Sequence, residues 1–398
     1  MHLLFVTQEV GKVPSGVVTV LAQLCRGWPE SDQITVLMNP THWAGEHLDH
    51  ELRDKGNVRQ LHVPSILMSD KLTEALMPLP TSVRIVLKVA LIPVLGAQSL
   101  LLLLWLAFWM RRGKVAGVLS HNGGWPGGRL NRWVIYAAKM ARIPERILVI
   151  HNTPVIPDSP IKKLRDVIAR GLVGRAATRI VTVSNACRGS LEHVGFGRPL
   201  DVIYNGIENR QVVPPIDRQP PWNKTGSTIG FVGELHSRKG VHVLLDALQK
   251  MNADCELVLV GNGDADYTSI LEKAASFSRH PVHFLGFRDD AEALYHWFDL
   301  LVLPSLNFES FGMVIVEAMR AGVPVICSDF GGMKEVVAQE ETGLVVSAGD
   351  SEALATAMTR LMNDRDLRDR MGRAGRARLD REFSSVVMTS NYVRLFHA

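Results

Sequence analysis

Short apolar runs alternate with segments of helical period twice over in this 398-residue chain, and a cluster of prolines separates the two series. That order leaves few folds open. Strands of a parallel sheet buried on both faces read as continuous apolar stretches, and a crossover, usually a helix, must intervene between them. In the first series, residues 3–7, 33–38, 115–119, 146–150 and 179–183 read as strands, and 17–25, 129–140 and 161–172 as helices. In the second, 227–232, 255–260, 282–285, 300–303, 323–327 and 343–346 read as strands, with helices over 241–250, 267–275, 311–321 and 352–362. The expected fold class is α/β, with two Rossmann-like domains built on parallel sheets. The length also exceeds what one hydrophobic core usually serves. Pro214, Pro215, Pro220 and Pro221 stiffen the chain and break regular structure, which places a linker over 213–226. The expected domains are then 1–212 and 227–380, with 381–398 a C-terminal helix packing back on the first domain.

Composition removes several classes of function. An apolar fraction of 46% with 21% charged residues describes a folded chain, not a disordered one. The 44 basic against 40 acidic residues leave a net charge of +4, too weak an excess for a nucleic-acid face but compatible with an anionic ligand or membrane surface. Cys25, Cys187, Cys255 and Cys327 are scattered among apolar or small neighbours, with no metal-ligand spacing and no disulfide framework. The first residues read as a buried strand instead of a secretory signal, so the expected location is cytoplasmic.

Glycines and charges gather where strands give way to helices. After 227–232 comes Gly233, then Arg238, Lys239 and Gly240 at the start of a helix. Backbone approaches an anion closely at glycine, and a helix N-terminus favours phosphate, though a solvated basic turn has the same composition. Glu309 follows the strand 300–303 in a loop at its carboxyl end, where open α/β sheets bind ligands. Gly312 and Met313 open the next helix and offer unpaired amides to a diphosphate. Glu317, further along it, suits a ribose or sugar diol, or else pairs with a cation on the helix surface. Gly261 lies in a Gly-Asn-Gly turn that also reads as a plain strand-to-helix connection. Phe287 and Arg288 follow 282–285, where backbone meets a base edge or the arginine is simply exposed. Asp289 and Asp290 read as caps of the following helix. In the first half, Gly16 lies in a loop after the first strand, and His121 and His151, the latter followed by Asn152, fall at strand ends.

With these residues together, the chain resembles the retaining GT-B glycosyltransferases of family GT4, over nearly its whole length and most strongly over 231–346. The family's E-x7-E pattern corresponds to Glu309 and Glu317, and its Arg-Lys-Gly motif to Arg238, Lys239 and Gly240. Val183-Ser184 with Ala186 matches its V-S-x-A segment, and Asn205-Gly206-Ile207-Glu208 its N-G-I-D segment, with Glu in place of Asp. The resemblance implies two domains facing each other across an interdomain cleft. It implies that Arg238 and Lys239 neutralise the donor diphosphate, that Glu309 and His121 contact the transferred sugar, and that Glu317 binds the ribose. Gly16, Gly233, Gly261, Phe287, Arg288 and the Phe311–Gly312–Met313 stretch fall on the donor side, and His151 and Asn152 on the acceptor side. It further implies a nucleotide-sugar donor, here a UDP-sugar, and a glycan or lipid-linked acceptor. No metal or other cofactor is expected, and transfer would occur by front-side attack with the leaving phosphate taking the acceptor's proton. Ser15-Gly16 stands where the family often has Gly-Gly. A sugar phosphorylase or nucleotide-sugar epimerase on the same scaffold is the alternative.

One segment departs from a soluble pattern. Residues 92–110 carry no charge, and Arg111, Arg112 and Lys114 follow directly. A transmembrane helix would interrupt the first domain between consecutive strands, and an ordinary core helix does not need so continuous a leucine run. The preferred expectation is that 83–112 seats in one leaflet as a helix or hairpin, with Gly96 as a bend and the cations at lipid headgroups, placing the protein peripherally on the cytoplasmic face of the membrane.

Overall fold

The computed structural model describes residues 1–8, 16–39, 48–64, 80, 83, 87, 90–210 and 219–397. The loop 9–15 and the prolines at 214 and 215 lie outside the described residues, as does most of 65–89. The chain divides into two compact units. One comprises Met1–Val183, Arg188–Ile203 and Thr389–Ala398, the other Ser184–Cys187 and Tyr204–Met388. The passage from the first to the second thus falls at Ile203–Tyr204, ahead of the prolines.

The first unit contains β1 (His2–Thr7), α1 (Gly16–Gly27), β2 (Gln33–Met38), β3 (Val58–His62), α2 (Ile92–Arg112), β4 (Gly117–Asn122), α3 (Arg129–Met140), β5 (Glu145–Ile150), α4 (Pro160–Ala176), β6 (Arg179–Thr182), most of α5 (Asn185–Val194) and β7 (Leu200–Val202). Its seven strands lie in the order β3-β2-β1-β4-β5-β6-β7, all parallel. The order reverses between β1 and β4, so the carboxyl ends of those strands flank the topological switch point. Leu3, Leu4, Phe5 and Val6 of β1 are all fully buried, the signature of a strand covered on both faces. The strand β4 begins two residues later than 115–119 predicts, so His121 lies inside it, paired in register with Thr7. Helix α2 runs unbroken through Gly96, which corrects the bend expected there.

The second unit contains β8 (Ser227–Val232), α6 (Val241–Lys250), β9 (Cys255–Val260), α7 (Ala265–Ala275), β10 (Val282–Gly286), β11 (Leu300–Leu303), α8 (Met313–Ala321), β12 (Val325–Ser328), β13 (Gly343–Val346), α9 (Ser351–Asn363) and α10 (Arg365–Arg378). Its sheet is ordered β10-β9-β8-β11-β12-β13, parallel, with its switch point between β8 and β11. Helix α6 buries Val241, Leu244, Leu245 and Leu248, spaced as one helical face, against the sheet core of Ile229, Phe231, Leu257 and Leu259. Asp264 caps α7 by accepting from the amides of Asp266 and Tyr267.

The last helix, α11 (Ser385–His397), is shared: its residues from Thr389 onward belong to the first unit. There Phe396 packs edge-on against Trp28 at 5.8 Å between ring centroids and fills the space beside Gly117, where a Cβ would strike its ring.

Candidate functional site

In the second unit the candidate residues gather at the carboxyl ends of adjacent strands. Gly233 closes β8, and its amide donates to the Val260 carbonyl at 2.9 Å. Gly261 has a φ of 140° and lies so close to Gly233 that a Cβ would run into the Gly233 carbonyl oxygen. The Gly261 amide in turn donates to Gly286 at 2.8 Å, and Asn262 Oδ1 accepts from the Phe287 amide at 2.8 Å. One continuous rim of backbone therefore joins the ends of β8, β9 and β10. At the other side of the switch point, Gly240 takes a left-handed φ of 70° at the N-cap of α6, against the Pro304 carbonyl that follows β11. The Arg238 carbonyl accepts from the Leu306 amide at 2.8 Å, which ties the Arg238–Lys239 turn to the loop carrying Glu309.

That closure brings Lys239 onto Glu309: Nζ donates to Oε2 in an ion pair whose partners are 16% and 22% exposed. The pair is largely screened from water, which strengthens the attraction between its two charges. Beside it, Gly312 adopts φ 89° at the N-cap of α8, and no side chain caps this terminus, so its amides are available to an oxyanion. The 309–312 loop is fixed by neighbours. The Glu309 carbonyl accepts from the Gly332 amide at 2.8 Å, and the Ser310 carbonyl accepts from Ser184 Oγ at 2.6 Å. Phe311 is buried against Tyr204 and Phe383, so its part here is backbone position and packing.

The remaining residues stand differently. Arg238 is not drawn to the Lys239–Glu309 pair; its guanidinium binds Glu234 at 2.8 Å, and both side chains are largely exposed. Glu317, midway along α8, accepts from the hydroxyl of fully buried Tyr295 at 2.8 Å. Burial raises the pKa of its carboxyl, partly opposed by the Tyr295 hydrogen bond and nearby Arg320. Arg288 grips Asp290 through two bonds of 2.7 Å, and Asp290, at the N-cap position of a short helical turn, makes no side-chain cap; the capping expected of it is corrected. Phe287 is 48% exposed.

Sequence reasoning missed Glu335. Its carboxylate accepts from the Asn185 amide at 2.8 Å, the Ala186 amide at 2.6 Å and the Tyr204 hydroxyl at 3.1 Å. It thus joins the Val-Ser-x-Ala segment to the Tyr-Asn-Gly-Ile segment and gives both motifs a structural task. The Gly331-Gly332 pair just upstream was the available signal. Tyr295 carried none beyond its place after a short apolar turn.

In the first unit, His121 and His151 form one buried pair at neighbouring strands, His121 Nδ1 meeting His151 Nε2 at 2.9 Å with the rings stacked. One ring donates the proton in that bond and the other accepts it. Burial, and then the charge of His151, hold His121 well below its ordinary pKa; burial brings His151 down to about 4. His121 Nε2 is buried without a hydrogen-bond partner and lies among Thr7, paired with it in register, and Tyr392, whose ring is 6.2 Å away. Asn152 is exposed and accepts from the Thr153 amide. Gly16 is the exposed first residue of α1; the loop before it lies outside the described residues. Among the described residues, no group of three His, Cys, Asp or Glu side chains is placed to hold a metal ion.

Two protein families match this chain. Residues 213–378 match the family described as glycosyl transferases group 1, and residues 14–211 match glycosyltransferase family 4. A phosphatidyl-myo-inositol mannosyltransferase of Mycobacterium leprae is 38% identical over 179 residues, 44% of this chain and 47% of that protein. A D-inositol 3-phosphate glycosyltransferase of Corynebacterium kroppenstedtii is 29% identical over 65% of this chain and 62% of its own. The chain thus matches about half the length of the first of these relatives and somewhat more of the second. Among solved structures, Anabaena HepE in complex with UDP superposes with a TM-score of 0.74 at 21% identity, covering 100% of both chains. A glycosyltransferase from Rickettsia africae gives 0.75 at 18% identity, over 99% of this chain and 97% of its own. At such identities the likeness establishes the fold.

Proposed function

The chain belongs to glycosyltransferase family 4, and from that premise we propose that it moves a sugar from a nucleotide-sugar, a UDP-sugar, to a glycan or lipid-linked acceptor with retention of configuration. The observation that carries this reading is the Lys239–Glu309 ion pair beside the uncapped N-terminus of α8. Departure of a nucleoside diphosphate develops negative charge, and a preorganised ammonium with converging amides stabilises it without reorganisation. Lys239 serves the diphosphate, Glu309 the sugar released from the ion pair, and the rim from Gly233 to Phe287 the nucleoside. Glu317, held by Tyr295, keeps an oxygen for a ribose hydroxyl. Arg238 serves the diphosphate once it leaves Glu234. His121, Gly16, His151 and Asn152 act from the first unit, on the sugar, the phosphate and the acceptor. The leaving phosphate takes the acceptor's proton, so no protein nucleophile and no metal enter the scheme.

Both relatives named above are transferases, which favours transfer over a phosphorylase or epimerase on the same scaffold. The UDP complex among the structural neighbours and the lipid in one relative's name support the UDP and lipid readings. The leucine-rich outer face of α2, with Leu100, Leu101, Leu104 and Phe108 exposed, supports a peripheral seat on the cytoplasmic side of a membrane. A thermal-shift screen with UDP-, GDP- and ADP-sugars, followed by acceptor-dependent release of the nucleoside diphosphate, tests the reading. Lys239→Ala should lower turnover by more than about tenfold, since one oxyanion contact supplies at least that much. Near-normal turnover in that variant rejects the phosphate role of Lys239.

A further inference from the structure

Helix α4 carries an apolar stripe that the described residues leave uncovered. Ile161, Leu164, Ile168 and Leu172 are 74%, 62%, 52% and 50% exposed. At about 100° per residue they fall within an arc of roughly 80°, a single stripe along the helix. Val155 and Ile156, just before the helix, are 69% and 77% exposed and extend it. Burial of α4 is confined to its last turns, at Val173, Gly174 and Ala176. Its first three turns present apolar surface that a protein facing water alone has no reason to keep.

Beside the stripe, α4 and α3 enclose a cavity of about 580 Å³ lined by Arg132, Tyr136, Lys162, Arg165, Ile168 and Leu172, among others. Its charge is unbalanced. Asp166, on the same wall, is already committed to Arg170 at 2.8 Å and to the Trp125 indole N–H at 2.6 Å. Among the described residues, Lys162 pairs with exposed Asp158 alone. Among the described residues, Arg165 and Lys163 have no carboxylate within ion-pair distance. Arg132 stands over the Trp125 ring at 5.8 Å, and its Nε is buried without a hydrogen-bond partner. Cations on a half-apolar wall, one with an unused donor, fit an anion that brings hydrocarbon with it.

We propose that this face docks on a bilayer containing anionic phospholipid, with a lipid phosphate seated among Arg132, Lys162 and Arg165 and the acyl chains lying along the α4 stripe. The site is continuous with α2, because α3 packs against both α2 and α4, and Arg111, Arg112 and Lys114 end α2 with further positive charge. An apolar stripe flanked by Lys and Arg is the composition that lies in the headgroup plane. The proposal rests on the membrane seat assigned to α2 but makes α4 a contact of its own.

The test is co-sedimentation of the full chain with vesicles of phosphatidylcholine alone and of phosphatidylcholine mixed with phosphatidylglycerol. The wild type should bind the mixed vesicles at least about tenfold more tightly. Replacing Arg132, Lys162 and Arg165 by Gln should erase that preference, at roughly fivefold for each charge. Replacing Ile161, Leu164, Ile168 and Leu172 by Ser should weaken binding to mixed vesicles at least tenfold. Replacing Leu100, Leu101 and Leu104 by Gln examines α2 separately. If only the α2 changes matter, the α4 site is refuted while the membrane seat stands; if the wild type binds neither vesicle, both fail. A spin label at Leu164→Cys gives a readout that needs no multiple variant, since the four native cysteines are buried. Its collision rate with membrane-dissolved oxygen should rise on adding mixed vesicles, and an unchanged rate overturns the proposal.

Discussion

His151→Asn removes one of two histidines that the first unit holds neutral. In the folded chain His151 binds its proton only near pH 4, and His121 lower than its ordinary 6.5 as well. In the unfolded chain both bind protons from about pH 6.5 downward. A depressed folded pKa means that the contribution to stability is complete above 6.5 and is lost as pH falls towards the folded value. Each extra proton taken up on unfolding tilts stability by about 1.4 kcal/mol per pH unit. Over the interval from the ordinary value to about 4, His151 alone accounts for about 3 kcal/mol, a sizeable part of the ~5–15 kcal/mol typical of a folded domain. Urea unfolding at a series of pH values, followed by tryptophan fluorescence, reads this out, because six of the eight tryptophans (28, 43, 105, 109, 125 and 133) precede residue 183. Between pH 6 and pH 5 the variant's stability should fall less steeply than the wild type's by about 1 kcal/mol per pH unit, just under the limit set by one proton. The absolute loss from leaving His121 without a partner moves the line without changing this expectation of slope. Parallel lines, or a His151 imidazole titrating near 6.5 by NMR, would refute the neutral buried pair.

Three further outcomes are expected. Gly240→Ala forces a Cβ into a left-handed residue against the Pro304 carbonyl and should cost about 2–4 kcal/mol, measured as a lower urea midpoint for the second unit. Tyr295→Phe leaves the Glu317 carboxylate without its hydroxyl donor and should cost about 1–3 kcal/mol. Because the folded pKa of Glu317 is raised, stability from that group is present at low pH and lost as pH rises through the raised value, where the missing donor matters most. The Tyr295→Phe penalty should therefore shrink in acid, and a penalty equal at all pH values contradicts the assignment. Glu335→Gln weakens a charge-assisted anchor of the Asn185 and Ala186 amides and should cost about 2 kcal/mol, with faster hydrogen exchange at those two amides.

The parallel sheets were legible because their strands are buried on both faces, and such strands have no polar alternation to hide them. The run over 255–260 became β9 at the same residues. Strand β3, by contrast, reads Val-Arg-Gln-Leu-His; it lies at a sheet edge with partly exposed side chains, and its polar residues concealed it. Strand β7 has three residues, too few for any period. At the site, glycine-bearing strand ends announced Gly233, Gly240 and Gly312, where backbone conformation excludes most side chains. Pairings across sequence were not legible. Nothing local to Lys239 names Glu309 as its partner, and nothing near Glu335 announces that it serves residues 149 and 150 positions earlier. The exposure of α4 was hidden for the same reason: its apolar spacing is that of an ordinary core helix, and only the fold shows that none of the described residues covers it.

The place of Phe396 has a consequence for biosynthesis. A ribosome delivers this residue only after the whole of the second unit, yet it seals the gap beside Gly117 and Trp28 in the sheet of the first unit. The earlier half therefore emerges with a hole in its core that stays open through translation of the whole later half. Domains that finish as they emerge are protected from aggregation; this one has to wait for the later turns of α11.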